Sequence, residues 1–260
     1  TVIPMFVLMG TYAFSAGIGR KLYHTAYTIM GQTRGGLAIA SILASAGFGA
    51  VCGSTSATCA TIGRVAIPEM RKYHYSDALS TGTIASAGGL GIMIPPSTTF
   101  IVYGILAEQS IGKLFVSGIV PGIIIAILFI VTVYLYCRRN PEAGPPGPAT
   151  TWKQKIGSLA GLTDALLLFA LTMGGLFSGW FSPTQAGAIG GVGALIIGIA
   201  RRELHWKDFI NSSRDGLRIS CMILLLIAGA TIFGRFVAVT QIPATLATWA
   251  GNLDVSPWVI

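Results

Sequence analysis

Long uncharged apolar runs, separated by short basic segments, dominate the pattern of this chain. Runs of roughly 20 apolar residues have the length of a helix that crosses the ~30 Å hydrocarbon core of a membrane. The pattern therefore predicts membrane-spanning helices over residues 1–18, 114–137, 158–178, 186–200 and 216–239.

Composition supports this interpretation and excludes several classes of protein. Of the 260 residues, 53% are hydrophobic and only 10% are charged, whereas a soluble domain carries about 25% charged residues. We predict an all-α polytopic protein embedded in a lipid bilayer. Its net charge of +8 then sets the orientation of the helices and does not indicate nucleic acid as a partner. The four cysteines lack metal-ligand spacing, so we expect no disulfide framework and no transition-metal site.

One apolar run, residues 78–107, cannot form a continuous helix. It contains Gly88, Gly89 and Gly91, followed by the consecutive prolines Pro95 and Pro96. Because proline has no N–H, the carbonyls four residues before each proline lose their helical donors; these are the carbonyls of Gly91 and Ile92. Such carbonyls survive at membrane depth where they line a polar cavity, and a cation is the natural guest. The alternative is a kinked helix whose carbonyls bond to neighbouring helices.

A second interruption, at residues 53–56, divides the apolar segment 35–68. The second arm, residues 57–68, would reach only ~18 Å as a helix, too short to cross the membrane. We therefore predict a re-entrant helical hairpin with its tip at 53–56.

The distribution of charge agrees with this hairpin. If residues 35–68 enter and leave on one side, the loops at 19–34, 69–77, 138–157 and 201–218 share that side and hold 14 of the 17 Lys and Arg residues. The positive-inside rule then places these loops in the cytoplasm. Arg64 would reach the cytoplasmic interface by extending its side chain. Arg235 is either a substrate or carboxylate contact, or an interfacial or interhelical pairing.

Two halves are expected, separated by a Pro- and Gly-rich cytoplasmic linker at 141–157. Residues 1–140 form a first repeat, and residues 158–260 begin a second repeat that is truncated. A faint similarity between residues 3–11 and 225–231, which run in opposite directions through the membrane, suggests inverted repeats.

Enzyme chemistry lacks candidates in this chain. The spans show no cluster of nucleophile, base or metal ligands, and the glycines around Gly89 lack the βαβ context of a dinucleotide site. We expect no enzyme activity and no cofactor. All three histidines fall in predicted cytoplasmic loops, so the predicted spans contain no histidine that could carry a proton.

Several motifs together resemble the large membrane subunit of tripartite ATP-independent periplasmic (TRAP) transporters, over essentially the whole chain. They are Arg34-Gly35-Gly36-Leu37-Ala38, Gly53-Ser54-Thr55-Ser56-Ala57-Thr58, Ile67-Pro68-Glu69-Met70, Ile94-Pro95-Pro96-Ser97, the stretch 103–115 ending in Gly112-Lys113-Leu114-Phe115, and Phe181-Ser182-Pro183-Thr184. Members are longer, so the chain resembles the middle of one. Gln185 departs from the family, which often has Glu there.

The resemblance implies a Na⁺-driven elevator-type importer of organic acids in the bacterial inner membrane. It would act with a small membrane subunit and a periplasmic substrate-binding protein. By position, the implied sodium ligands are Ser54, Thr55 and Ser56 at the tip and Gly91 and Ile94 at the break, shaped by Pro96; the proline argument adds Ile92. Substrate contacts are unassigned, with Gly53, Ser97 and Arg235 as candidates. The alternatives are an elevator-type carboxylate carrier without a binding protein and a re-entrant-loop channel.

Overall fold

The computed structural model describes residues 2–147 and 149–251, which form helices and connecting turns with no strand among them. Short 3₁₀ turns and one π-helical turn, Ala170–Gly174, link some of the helices. In chain order the α-helices are α1 (Val2–Ser15), α2 (Ile18–Met30), α3 (Gly36–Cys52), α4 (Thr55–Lys72), α5 (Asp77–Gly88), α6 (Leu90–Met93), α7 (Thr98–Leu106), α8 (Ile111–Arg139), α9 (Trp152–Ser158), α10 (Thr163–Phe169), α11 (Gly175–Phe177), α12 (Pro183–Ala200), α13 (Trp206–Val239) and α14 (Ile242–Gly251).

Four helical runs in the described part of the chain are long and apolar enough to cross a membrane: α8, the run Trp152–Phe177, α12 and α13. Two further pairs meet the same requirement together but bend at a break. The pair α1 and α2 bends by 60°, and Asp77–Met93 bends by 44° against α7. The prediction of an all-α polytopic membrane protein is confirmed.

The predicted loop at 19–34 is wrong over most of its length, because α2 occupies Ile18–Met30. Its buried side chains include Ile18, Leu22 and Ala26, which recur every four residues. This spacing places an apolar stripe on one face of a helix, with charged side chains on the other. The charges on the outer face gave the segment the appearance of a loop.

Two other boundaries differ from those predicted. The second arm of the hairpin is α4, which has 18 residues and continues through Pro68 to Lys72. Its length of ~27 Å is close to the ~30 Å thickness of the hydrocarbon core, so length alone does not distinguish a re-entrant arm from a spanning helix. The predicted interfacial segment at 201–215 and the span at 216–239 are joined, since α13 runs without interruption for 34 residues.

Gln185 takes part in the N-terminal cap of α12. The hydroxyl of Ser182 accepts from the Gln185 amide at 3.3 Å, and the Gln185 side-chain oxygen accepts from the Ser182 amide at 2.8 Å. These reciprocal bonds form a capping box at the start of α12, which a glutamine completes as well as a glutamate.

Helix α3 lies at the centre of the packing and positions the tip of the hairpin. It contacts α1, α2, α4, α5, α6 and α8. Leu37, Ile42 and Phe48 on this helix are at most 1% exposed. Because most of α3 is buried, the turn at its C-terminal end is held inside the protein.

A buried carboxylate connects α2 to the helices that follow the linker. Asp164, at the start of α10, is 6% exposed. It accepts hydrogen bonds from Lys21 Nζ at 3.1 Å and from Arg201 at 2.7 and 3.2 Å. A carboxylate this buried needs cationic partners, and here they come from α2 and from the end of α12.

The chain divides into two compact units, one ending at Leu217 and the other beginning at Arg218. The first unit contains the hairpin, the broken helix and the Asp164 ion pairs. The second contains the rest of α13 and α14, and most of its described side chains are exposed.

We expect Asp164→Asn to lower the free energy of unfolding by about 2 kcal/mol, because Lys21 and Arg201 would lose their shared counter-charge. Asp77→Asn is the matched control: Asp77 pairs with Arg71 at 3.0 Å, but both side chains are more than 60% exposed. Such surface pairs contribute little. The unfolding transition of the purified protein in detergent measures both changes. Equal effects of the two substitutions would show that the Asp164 ion pairs do not stabilise the fold.

Candidate ion-binding site

The tip of the hairpin is a two-residue turn between α3 and α4. Gly53 ends α3 with φ +65°, in the left-handed region that favours glycine, and its amide donates to the Gly49 carbonyl at 2.9 Å. Ser54 is the N-cap of α4, where its hydroxyl accepts from the Ala57 amide at 3.4 Å. The Ser54 carbonyl accepts from both the amide and the hydroxyl of Thr58.

The broken helix is confirmed, with its break between Met93 and Thr98. The peptide bond between Pro95 and Pro96 is cis. Ser97 begins the next segment by capping α7: its hydroxyl accepts from the Phe100 amide at 3.3 Å. The same hydroxyl donates to the Ile92 carbonyl at 2.6 Å, so this carbonyl has already acquired a partner from the protein. The Gly91 carbonyl faces no such donor four residues on, since that residue is Pro95.

The tip and the break are in direct contact, as predicted. Thr98 donates to the Gly53 carbonyl twice, from its amide at 3.3 Å and from its hydroxyl at 2.9 Å. A methyl group on Gly53 would lie 2.5 Å from the carbonyl oxygen of Pro96, and one on Gly91 would lie 2.8 Å from the carbonyl oxygen of Ser54. The two backbones therefore lie so close together that only glycine fits at these two positions. We call this contact region, residues 53–58 and 91–98, the junction.

One hydroxyl at the junction has no partner. Thr55 Oγ1 is buried and forms no hydrogen bond with any described residue of the protein. A buried polar atom without a partner costs about 1–3 kcal/mol. A water molecule or an oxygen-liganded ion would remove that cost.

The other predicted site residues fall in differing environments. Ser56 is exposed, Ile94 is partly exposed, and Gly91 and Pro96 are buried at the junction. Of the candidate substrate contacts, Gly53 and Ser97 lie in the junction. The Ser97 hydroxyl already donates to the Ile92 carbonyl and accepts from the Phe100 amide. Arg235 lies on α13 in the second unit, in an open hollow with Thr231 and Phe236.

The sequence reasoning missed two residues of the junction, Thr58 and Thr98. Thr58 is fully buried and its hydroxyl lies beside Gly91. A signal was present, because Thr58 follows Ser54 by one helical turn and so shares its face. Thr98 carried no such signal, since its bonds to Gly53 join residues 45 positions apart.

Comparison with known proteins decides the family. A family model described as "Tripartite ATP-independent periplasmic transporter, DctM component" matches residues 1–260. The chain belongs to this family. It is a membrane protein of the bacterial inner membrane and a transporter component, so the predicted absence of enzyme activity agrees with its family.

Several curated relatives are similar over nearly the whole chain. The C4-dicarboxylate TRAP transporter large permease protein of Pseudomonas aeruginosa is 34% identical over 99% of the chain and 60% of its own length. The sialic acid TRAP transporter large permease protein of Vibrio cholerae is 31% identical with the same two coverages. The isethionate TRAP transporter permease protein of Oleidesulfovibrio alaskensis is 35% identical over 94% of the chain and 39% of its own length. The chain thus spans at most three fifths of these relatives.

We expect Gly53→Ala to disrupt the junction, because the added methyl group meets the Pro96 carbonyl and the left-handed backbone disfavours alanine. Uptake by the full-length subunit should fall at least tenfold. Gly82→Ala on α5 is the control, since its methyl group would meet no atom within 4 Å. Uptake by Gly53→Ala at the level of the control would contradict the structural role of this contact.

Proposed function

We propose that the chain is part of the large permease subunit of a Na⁺-coupled, binding-protein-dependent secondary transporter that imports organic acids. The observation that carries the proposal is the junction, where a hairpin tip meets the break of a helix and a hydroxyl lies buried without a partner. Secondary transporters build midplane sodium sites from this combination of unwound carbonyls and facing polar groups.

The chemistry of the junction favours a hard monovalent cation. Its available groups are carbonyls and hydroxyls, which suit hard cations and not soft ones. Thr55 Oγ1 is buried and forms no hydrogen bond within the described residues, and the Gly91 carbonyl lacks its helical donor because residue 95 is proline. Ser54, Ser56 and Ile94 are further ligands in this proposal. The Ile92 carbonyl could bind the ion only if it lost its hydrogen bond from the Ser97 hydroxyl.

Proton coupling has less support from the described residues. Asp164 is buried but paired with two cations, so it is not free to carry a proton. His24 lies on α2 and not in a loop, and it is exposed, as are His74 and His205. Transporters that move protons use intramembrane carboxylates or histidines, and the junction contains neither.

The re-entrant course of α3 and α4 remains part of the proposal. Neither helix is among those long and apolar enough to span a membrane. The concentration of Lys and Arg in the segments that flank the hairpin supports the same proposal, since basic segments favour the cytoplasmic side of a membrane. An elevator movement of two inverted repeats follows from the family resemblance.

Substrates and partners are proposed from the relatives. C4-dicarboxylate and sialic acid, which appear in the relatives' names, are organic acids, and we propose dicarboxylates or related carboxylates for this protein. The proposed partners are a small membrane subunit and a periplasmic substrate-binding protein.

Reconstitution of the complete system in liposomes tests this function. Uptake of labelled ligand should require the binding protein and an inward Na⁺ gradient, and a proton gradient alone should not drive it. Uptake without the binding protein would favour a carrier that works alone. Flux of the ligand down its own concentration gradient, with no Na⁺ or proton gradient present, would favour a channel.

Thr55→Val tests the ligand role with little effect on the fold, because the removed hydroxyl has no partner in the described protein and the shape is nearly unchanged. The Na⁺ concentration for half-maximal uptake should rise about tenfold, the loss of roughly 1.4 kcal/mol expected for one ligand. Ser54→Ala is a less clean test, because it also removes the α4 cap.

The matched control is Thr132→Val, on the exposed face of α8, where the hydroxyl donates to the Leu128 carbonyl. Its Na⁺ dependence should equal that of the wild type. An unchanged Na⁺ dependence in Thr55→Val would remove Thr55 from the site.

A further inference from the structure

A basic groove lies between α2 and the segment that follows the linker, away from the junction. Its volume is about 630 Å³, and none of the described residues that line it is acidic. The lining residues of α2 include Arg20, Lys21 and His24, and Gln154 on α9 faces them.

The positive charge available in the groove comes chiefly from Arg20. Lys21 directs its ammonium group to Asp164 and Glu203, at 3.1 and 3.9 Å. Arg20 is exposed and forms no ion pair within the described ranges. The hydroxyls of the groove are largely used by the protein, as when Thr25 donates to the Ser158 carbonyl at 2.7 Å. A ligand would therefore meet a guanidinium, an imidazole and a side-chain amide, all of which can donate.

Exposed apolar and basic side chains of α9 lie next to the groove. Trp152 on α9 is 80% exposed, Ile156 is 66% exposed, and the Lys155 ammonium group lies 5.6 Å from the Trp152 ring. Exposed Trp with neighbouring Lys is typical of the membrane–water interface. Beside the groove, and sharing Thr25 with it, lies an apolar cavity of about 550 Å³ lined by Leu22, Leu166 and other apolar residues.

We propose that this groove binds the phosphate headgroup of an anionic phospholipid. The guanidinium of Arg20 matches a phosphate group in charge and in its paired donors, and basic pockets between helices on the cytoplasmic side are suited to anionic headgroups. The lipid would connect α2 to α9 across the linker, beside the Asp164 ion pairs. The neighbouring apolar surface accommodates the acyl chains.

The test is lipid binding by the purified full-length subunit in neutral detergent, counted by native mass spectrometry. Phosphatidylglycerol should bind more tightly than phosphatidylcholine of the same chain length. Arg20→Gln should weaken phosphatidylglycerol binding about fivefold, the effect of one basic residue near an anionic surface. Arg20→Lys should retain most of the binding, which separates charge from misfolding.

Lys153→Gln is the matched control, because Lys153 is exposed on α9 but does not line the groove. Its phosphatidylglycerol affinity should equal that of the wild type. Equal binding of the two lipids, or equal losses in Lys153→Gln and Arg20→Gln, would overturn the proposal. So would Arg20-dependent stabilisation by inorganic phosphate alone, or loss of the small membrane subunit from Arg20→Gln while phosphatidylglycerol still binds.

Discussion

Two consecutive prolines impose the constraint on which the rest of this structure depends. Neither Pro95 nor Pro96 can donate to the helix, so the chain opens between α6 and α7. The open backbone would be costly inside a membrane unless other groups meet it. The Ser97 hydroxyl donates to the Ile92 carbonyl, and the hairpin tip packs against the other residues of the break. The break and the tip are thus two parts of one arrangement.

Glycine makes that arrangement possible. Gly53 turns the chain between α3 and α4. At Gly91 the Ser54 carbonyl lies so close that a side chain on residue 91 would collide with it. Gly49 brings α3 against the same point, since a methyl group there would lie 2.8 Å from the Gly91 Cα. A backbone packed this closely leaves the polar groups of the tip and of the break facing one another, which is the condition for holding an ion between them.

The break and the tip could be predicted from the sequence because they depend on local chemistry: proline without a donor, and glycine with a free backbone. Their contact was implied by the family resemblance, which assigned ligands from both segments to one ion. Helix α2 could not be found in this way, since its charged face resembles a loop. The ion pairs of Asp164 were equally hidden, because Lys21 is 143 residues away in sequence and local patterns carry no information on such pairs. Thr98 at the junction was missed for the same reason.

The most direct measurement is an electron cryomicroscopy reconstruction of the full-length subunit with its membrane partner, determined once in sodium and once in choline. In sodium we expect density between Thr55 Oγ1 and the carbonyls of the break, at direct ligand distance. In choline this density should disappear while α3 and α6 stay in place. Identical maps in the two salts, or a hairpin tip separated from Gly91 in both, would contradict the assignment of the junction as the sodium site.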